Sequence, residues 1–531
     1  MKHTHTPKTH KKNPKHQNRG SAHKPTHTGR AHSGHGKDQE ILTGFIKTNR
    51  QKTGYVDILE TDTHVYFPTH NINTALHGDE VTYIITDKID ARRKLPVGKV
   101  VSIVERASTR IVGTAVRQGE KWFVSPDDKR IYTDIFIPEP KNMEEHKKVL
   151  VSIEWKPKAE YPEGTLLEVI GTAGDNDTEM KSILLEKGFD HQFPPDVERE
   201  AAEISKLKRN VADSEWSFRK DFKNKTTFTI DPADAKDFDD ALSIETLPNG
   251  HIEVGVHIAD VAFFVTPGSA LDKEAQKREF SVYLVDRTIP MLPEVLSNDL
   301  CSLNPNEEKR AFSALFEIDM EGKVYSREFT RSVIKSNKRF AYEEAQATID
   351  DTSAQYYTEL KTLNDIAHKL RKAKALAGAI DFETDEIAFT LDAKGVPLEI
   401  HKKQRLDAHK LIEEFMLLAN REVAMFIGKE AKGDKSKESL YRIHDVPNKE
   451  RIEDLTLFLK ALGYDLESKD GVVTNKGLQH ILKKIEHTPQ EALIKTAILR
   501  SMAKATYNIT NIGHFGLAFD FYTHFTSPIR R

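Results

Sequence analysis

Five aspartates crowd the stretch DPADAKDFDDAL: Asp231, Asp234, Asp237, Asp239 and Asp240. Carboxylates at this density repel one another, and burial would raise their pKa values further. A divalent cation removes that penalty. Oxygen donors without clustered His or Cys select a hard ion, magnesium or manganese, over zinc. Two such ions about 3.5–4 Å apart can activate a water and stabilise the leaving oxygen of a phosphodiester. The stretch has neither the central Gly nor the terminal Glu of an EF-hand, so a calcium loop is excluded. A solvated acidic turn is the plain alternative.

The elements around the acids explain why they would converge. In HIEVGVHIADV, Ile252, Val254, Val256 and Ile258 alternate, which predicts a strand with one buried face. Pro232 breaks regular structure, so the acids belong to a turn just ahead of a sheet. Further on, Leu411, Phe415 and Leu418 recur at helical spacing in DAHKLIEEFMLLANREV. That leaves Glu413 and Asn420 on a more polar face with His409 one turn ahead, and Glu414 takes the place of Glu413 if the register differs. Glu413 reads either as a site residue or as an exposed helical acid paired with a neighbour.

At 531 residues the chain is expected to hold three or four domains. Its formal charge of −3 does not mark a polyanion binder, so the distribution of charge matters more. No run reaches the roughly 20 apolar residues of a membrane helix, and no apolar signal core follows Met1. The single cysteine, Cys301, excludes an internal disulfide framework and fits a reducing cytoplasm. It reads as a small buried residue, not a nucleophile.

Residues 1–39 are rich in His, Lys, Thr, Gly and Pro and nearly free of large apolar side chains, which predicts a disordered basic tail. Short β-type segments divided by turn residues fill 40–105 and again 106–175, suggesting tandem OB-type barrels. In the first, Phe45, Tyr55, Tyr66 and Phe67 lie among Lys47, Arg50, Lys52 and His64. Aromatics interleaved with cations suit base stacking with phosphate neutralisation, although they could equally fill a barrel core. Residues 176–225 read as a helical connector: DTEMKSILLEKGF is a helix, FPPDV a break and EREAAEISKLKR a second helix. From 226 to 531, early strands and late helices predict a mixed α+β domain.

The stretch TIDPADAKDFDDAL resembles the signature of the ribonuclease II/ribonuclease R family, exoribonucleases with an RNB catalytic domain. The likeness runs on through VYLVDRTIPMLPEVLSNDLCSLNPNEEKRAFSALFEID, IDFET, LIEEFMLLAN, LYRIHDVP, ILRSMAKATYN and GHFGLAFDFYTHFTSPIRR. It covers nearly everything except the tail and leans toward the ribonuclease R branch. The resemblance implies tandem cold-shock-like OB domains followed by an RNB domain. It also implies processive 3′-to-5′ hydrolysis of single-stranded RNA, with structured RNA as a second substrate, to nucleoside 5′-monophosphates.

Asp231, Asp237, Asp239 and Asp240 match the family's four aspartates, with Asp239 held most critical for the chemical step and the others placing magnesium (manganese is the second choice). Asp234 falls outside that quartet. Tyr283 matches a tyrosine that stacks on the RNA 3′ end, Tyr342 and Phe382 match clamping aromatics, and Glu413 matches a functional glutamate. Arg530 matches the catalytic arginine, with Thr526 and Ser527 as further donors to the phosphate. From the residues themselves, Tyr55 and Phe45 are added as RNA contacts. The expected partner is single-stranded RNA, with no membrane, a monomeric state, and ribosome or RNA-decay machinery contacts through the tail. Family members continue past SPIR, so the chain is expected to be truncated, with a fraying end next to Arg530. A catalytically silent RNA-binding protein is the alternative.

Overall fold

The computed structural model describes residues 40–58, 63–156, 159–208, 210–380, 386–393, 395–430, 439–469 and 472–531. The tail, and with it the proposed tail contacts, lies outside them, as does Phe382. Two compact units are present: 1–109 with 126–136 and 153–163, and 110–125 with 137–152 and 164–531.

The first five strands are β1 (Ile41–Thr48), β2 (Gly54–Ile58), β3 (Thr63–Phe67), β4 (Glu80–Ile89) and β5 (Pro96–Glu105). They close into a barrel in the order β1-β2-β3-β5-β4. β5 closes the barrel, pairing with both β4 and β3. Ile46, Val65, Phe67 and Val81 fill the barrel and are fully buried. Phe67 is thus a core residue, Tyr66 is buried on the opposite face of β3 against Tyr55, and Phe45 is 66% exposed on β1. A second closed barrel follows from β6 (Arg110–Gln118), β7 (Lys121–Pro126), β8 (Ile135–Ile137), β9 (Lys147–Glu154) and β10 (Glu163–Thr172).

Two helices come next, α1 (Asn176–Glu186) and α2 (Pro195–Lys208). The stretch FPPDV was expected to break the chain throughout, but α2 begins inside it. A proline in the first helical turn lacks only an N–H that would be unpaired anyway, and its φ is already helical.

The chain after these helices is built on a seven-stranded sheet, ordered β11-β18-β17-β14-β13-β12-β19. Its strands are β11 (Lys220–Asp221), β12 (Thr227–Asp231), β13 (Asp240–Thr246), β14 (Ile252–Ala259), β17 (Glu308–Ile318), β18 (Val324–Lys335) and β19 (Lys338–Ala341). Between β14 and β17 lie α3 (Val261–Phe264), α4 (Ala270–Arg278) and a small hairpin of β15 (Val282–Tyr283) and β16 (Thr288–Ile289). After β19 come α5 (Tyr342–Asp350), α6 (Tyr357–Ala377) and α7 (Asp407–Met425). Gly378, at φ +110°, ends α6 in the left-handed conformation that glycine adopts without steric cost. Leu360, Leu363 and Ile366 of α6 and Leu411, Phe415 and Leu418 of α7 pack with Val254, Val256, Phe316 and Phe340 of the sheet in one core.

The expectation of one buried face on β14 is corrected: every residue except the half-buried Glu253 is buried. The second face carries Gly255 and His257, which periodicity reads as solvent-facing. His257 is fully buried, hydrogen-bonded through Nδ1 to Ser313 Oγ at 2.7 Å and through Nε2 to Ser243 Oγ at 2.8 Å. Gly255 leaves room for this arrangement, since a Cβ there would meet Ser243 Oγ at 2.4 Å. Burial holds the imidazole neutral and lowers its pKa to about 3. The unfolded chain binds a proton near pH 6.5, which the folded state refuses until about pH 3. Stability is therefore expected to fall with acidification through that window, by up to ~1.4 kcal/mol per pH unit from this residue. Unfolding titrations at several pH values should show a shallower slope in His257→Gln.

Among the described residues no helix is long and apolar enough to cross a membrane. Cys301 is buried at 1% exposure, and desolvation raises its thiol pKa, so the thiolate nucleophile is disfavoured.

Candidate active site

Strand β12 ends on Asp231 and β13 opens on Asp240, so the aspartates occupy the connection between two neighbouring strands of the sheet. The C-terminal flank of this connection is fixed by main-chain bonds. Leu303 N donates to Phe238 O at 3.0 Å and Ala259 N to Asp239 O at 2.9 Å. Phe238 N donates to Ser302 Oγ at 2.9 Å, and the Ser302 hydroxyl donates to Lys236 O at 2.8 Å. Asp239 and Asp240 are buried, Asp231 and Asp237 half-buried, and Asp234 exposed. Asp234 is thereby set apart from the other four.

Asp239 is engaged by residues nearly 300 positions away. Its Oδ1 accepts from Ile529 N at 2.7 Å and its Oδ2 from Arg530 Nε at 3.0 Å. Arg530 Nη2 also donates to Ser527 Oγ at 3.0 Å, and Ser281 N donates to Arg530 O at 2.9 Å. Asn420 of α7 holds this loop in place. Its Oδ1 accepts from Phe525 N at 2.7 Å and Thr526 N at 3.1 Å, while its Nδ2 donates to Thr526 Oγ1 at 3.2 Å. The α7 amide therefore sets where Arg530 stands, a role the sequence signalled only by a polar residue on an apolar helix. Thr526 and Ser527 accept these bonds on their hydroxyl oxygens, which leaves the O–H of each to donate elsewhere.

The other aromatic candidates fall on two sides. Tyr283, half exposed at 51%, donates its hydroxyl to Asp237 Oδ2 at 2.7 Å. Tyr342 opens α5 directly after Ala341, which pairs with Asp231, and its ring stacks on His409 at 3.8 Å and 10°. Glu413 forms an exposed ion pair with Arg405, the neighbour-paired arrangement, and Glu414 is buried against Lys374 Nζ at 2.5 Å. In the first barrel Tyr55 OH accepts from Arg93 Nε at 3.0 Å, and the Arg93 guanidinium lies 4.3 Å over the Tyr66 ring.

Burial raises all three central carboxylates. Asp231 is pushed well above the usual carboxylate range by desolvation and then by the charge of Asp240. Desolvation likewise raises Asp240, with Arg530 acting against it. Asp239 rises to about 7, because desolvation outweighs the opposing pull of Arg530 and the Ile529 N–H. Among the described residues no group of three or more His, Cys, Asp or Glu is set to hold an ion. Asp237 and Asp239 are turned to Tyr283 and Arg530 instead. Even so, the donor set fits a hard cation: Asp231 Oδ2 is buried with no hydrogen-bond partner among the described residues, and Asp240 repels it. A binding cation would relieve both.

The RNB domain family matches residues 219–531, and the cold shock domain family matches 123–194. A ribonuclease R of Thermotoga maritima is 39% identical over 508 residues, covering 93% of this chain and 69% of that protein. Ribonuclease R 1 of Lactococcus lactis is 37% identical over 510 residues, covering 92% of this chain. The chain spans 61% of that relative's length. A solved structure of Mycoplasma genitalium RNase R in complex with ribose methylated single-stranded RNA superposes with a TM-score of 0.84 at 27% identity. The match covers 92% of this chain and 77% of that one.

Proposed function

The chain belongs to the RNB family, with ribonuclease R relatives, and from that premise we propose that it hydrolyses single-stranded RNA processively from the 3′ end. The products are nucleoside 5′-monophosphates. The observation that carries the reading is the bond from Arg530 to Asp239, which brings a cation and the aspartate turn to one point. The RNA held by the Mycoplasma relative supports the choice of substrate.

Each group has work suited to its surroundings. The Arg530 side chain remains 45% exposed and keeps donors for a phosphate oxygen beyond those given to Asp239 and Ser527. Asp239 accepts from Arg530 Nε and from Ile529 N, so its carboxylate orients the cation that would meet the phosphate. Asp231 and Asp240 foremost, with Asp237 and Asp239, would hold magnesium, or manganese in its place. A bound divalent ion supplies an acidified water and neutralises charge on the phosphodiester. The exposed Tyr283 ring offers a stacking face for the terminal base, beside the acid its hydroxyl holds. Tyr342, backed by His409, forms a second aromatic surface, and Phe382 and Glu413 remain assigned by resemblance. Phe45 and the Tyr55–Arg93 pair give the first barrel an aromatic and cationic surface for the incoming strand. The buried thiol of Cys301 is in keeping with a reducing compartment such as the cytoplasm.

The test compares a single-stranded RNA with the DNA of the same sequence, with magnesium and with excess EDTA. RNA should be consumed only with the metal, and DNA should resist. Equal hydrolysis of both strands, or hydrolysis that survives chelation, would overturn the reading.

A further inference from the structure

The aspartate turn is pinned on one flank only by Ser302, Leu303 and Ala259. Its other flank, the residues just after Asp231, has one internal bond, Ala235 N to Pro232 O at 3.1 Å. Across this flank lies Arg339. Strand β19 runs parallel to β12 and pairs Arg339 with Thr229, two residues before Asp231. From there Arg339 Nη2 donates to the carbonyls of both Pro232 and Ala233, the second at 2.8 Å. The guanidinium carbon stands 5.5 Å over the ring of Phe238, immediately before Asp239. One planar side chain therefore touches both ends of the segment that separates Asp231 from Asp239.

The arrangement has a cost. Arg339 Nε is buried and has no acceptor among the described residues. A buried donor left unpaired is unfavourable, and such exceptions call for an explanation in what the rest of the side chain does. Its hydrogen-bond partners here are carbonyls, while its charge also lowers the pKa of Asp231 from nearby. Both carbonyl bonds come from the one Nη2, and the guanidinium lies within cation–π range of Phe238.

We propose that Arg339 is a positioning residue for RNA hydrolysis, clamping the Pro232–Ala233 turn and Phe238 so that Asp231 and Asp239 keep their relative placement. The catalytic consequence rests on the proposed function, while the clamping itself does not. Arg339 acts on the chemistry through the turn it holds. Its loss loosens the turn and leaves RNA capture by the barrels and aromatics intact.

The experiment uses the full chain with Arg339→Gln and Arg339→Lys, following hydrogen exchange of residues 233–238 alongside separate kcat and KM values. In Arg339→Gln, exchange in 233–238 should quicken by about tenfold while the rest of the sheet is unchanged. The kcat should fall by about 100-fold with KM for RNA unaltered, as a misplacement of about 1 Å would cause. Arg339→Lys should recover part of both effects, since its ammonium reaches a carbonyl without the planar face. Unchanged exchange at 233–238, or a rise shared by the whole sheet, overturns the clamp. Local loosening in a chain that never hydrolyses RNA would reject the proposed function and retain the clamp, so the two failures are distinguishable.

Discussion

Asp239→Asn is expected to lower RNA hydrolysis by on the order of 10⁴-fold while binding of single-stranded RNA stays close to the parent's. The side chain keeps its shape but loses its charge and one acceptor. Of its two bonds, the one from Arg530 Nε suffers most, because an amide nitrogen turned toward a guanidinium sets donor against donor. The Ile529 N–H can still be satisfied by the amide oxygen, so the loop has reason to stay in place. The charge that orients Arg530 and would help to hold the metal ion is gone. Initial rates and filter binding measured on the same preparations separate the two effects, and a variant retaining a tenth of the parent's rate would contradict the assignment.

Glu215→Ala should have the largest effect on stability. Glu215 is 4% exposed and accepts four bonds: from Arg219 Nε at 3.0 Å, from Arg310 Nε at 2.8 Å and Nη2 at 2.6 Å, and from Ala212 N at 2.9 Å. Burial alone would raise its pKa, but the Arg310 hydrogen bonds and the others outweigh this and hold it at about 2. Truncation leaves Arg219 with Asp260 Oδ2, at 2.7 Å, and takes away the acid that faces Arg310. Removing one partner from a buried ion-pair cluster costs about 3–5 kcal/mol, a large part of the ~5–15 kcal/mol that keeps a domain folded. The same depressed pKa means that Glu215's contribution is fully present above the unfolded carboxylate's pKa and is lost as pH falls through about 2. A denaturant midpoint within error of the parent's would show the cluster to be dispensable.

What the sequence reveals depends on whether the signal is local. The aspartate turn is legible because its acids stand within one dozen residues, ahead of a strand of recognisable period. Arg530 is 291 positions from Asp239, and nothing in composition links the two; only resemblance reached it. Asn420 and Arg339 escape for the same reason. One acts through a loop 105 residues away, and the other through a parallel strand pairing that no local pattern encodes. The strand from Ile252 to Ala259 shows a different limit. Gly255 and His257 read as a wet face, yet the chain satisfies the imidazole internally with Ser243 and Ser313 and buries both sides. Tyr66 and Phe67 show why aromatic spacing alone leaves core and stacking readings open. The two are neighbours on β3, yet Phe67 fills the barrel while Tyr66 lies on the other face under the Arg93 guanidinium.

The most direct test of the central claim places the label at each end of one single-stranded RNA in turn and follows hydrolysis with magnesium. A 3′ label should be released at once as nucleoside 5′-monophosphate, while a 5′ label should pass down a ladder to one short fragment. Release of the 5′ label first, or internal fragments from both substrates, would contradict 3′-to-5′ hydrolysis at the aspartate turn.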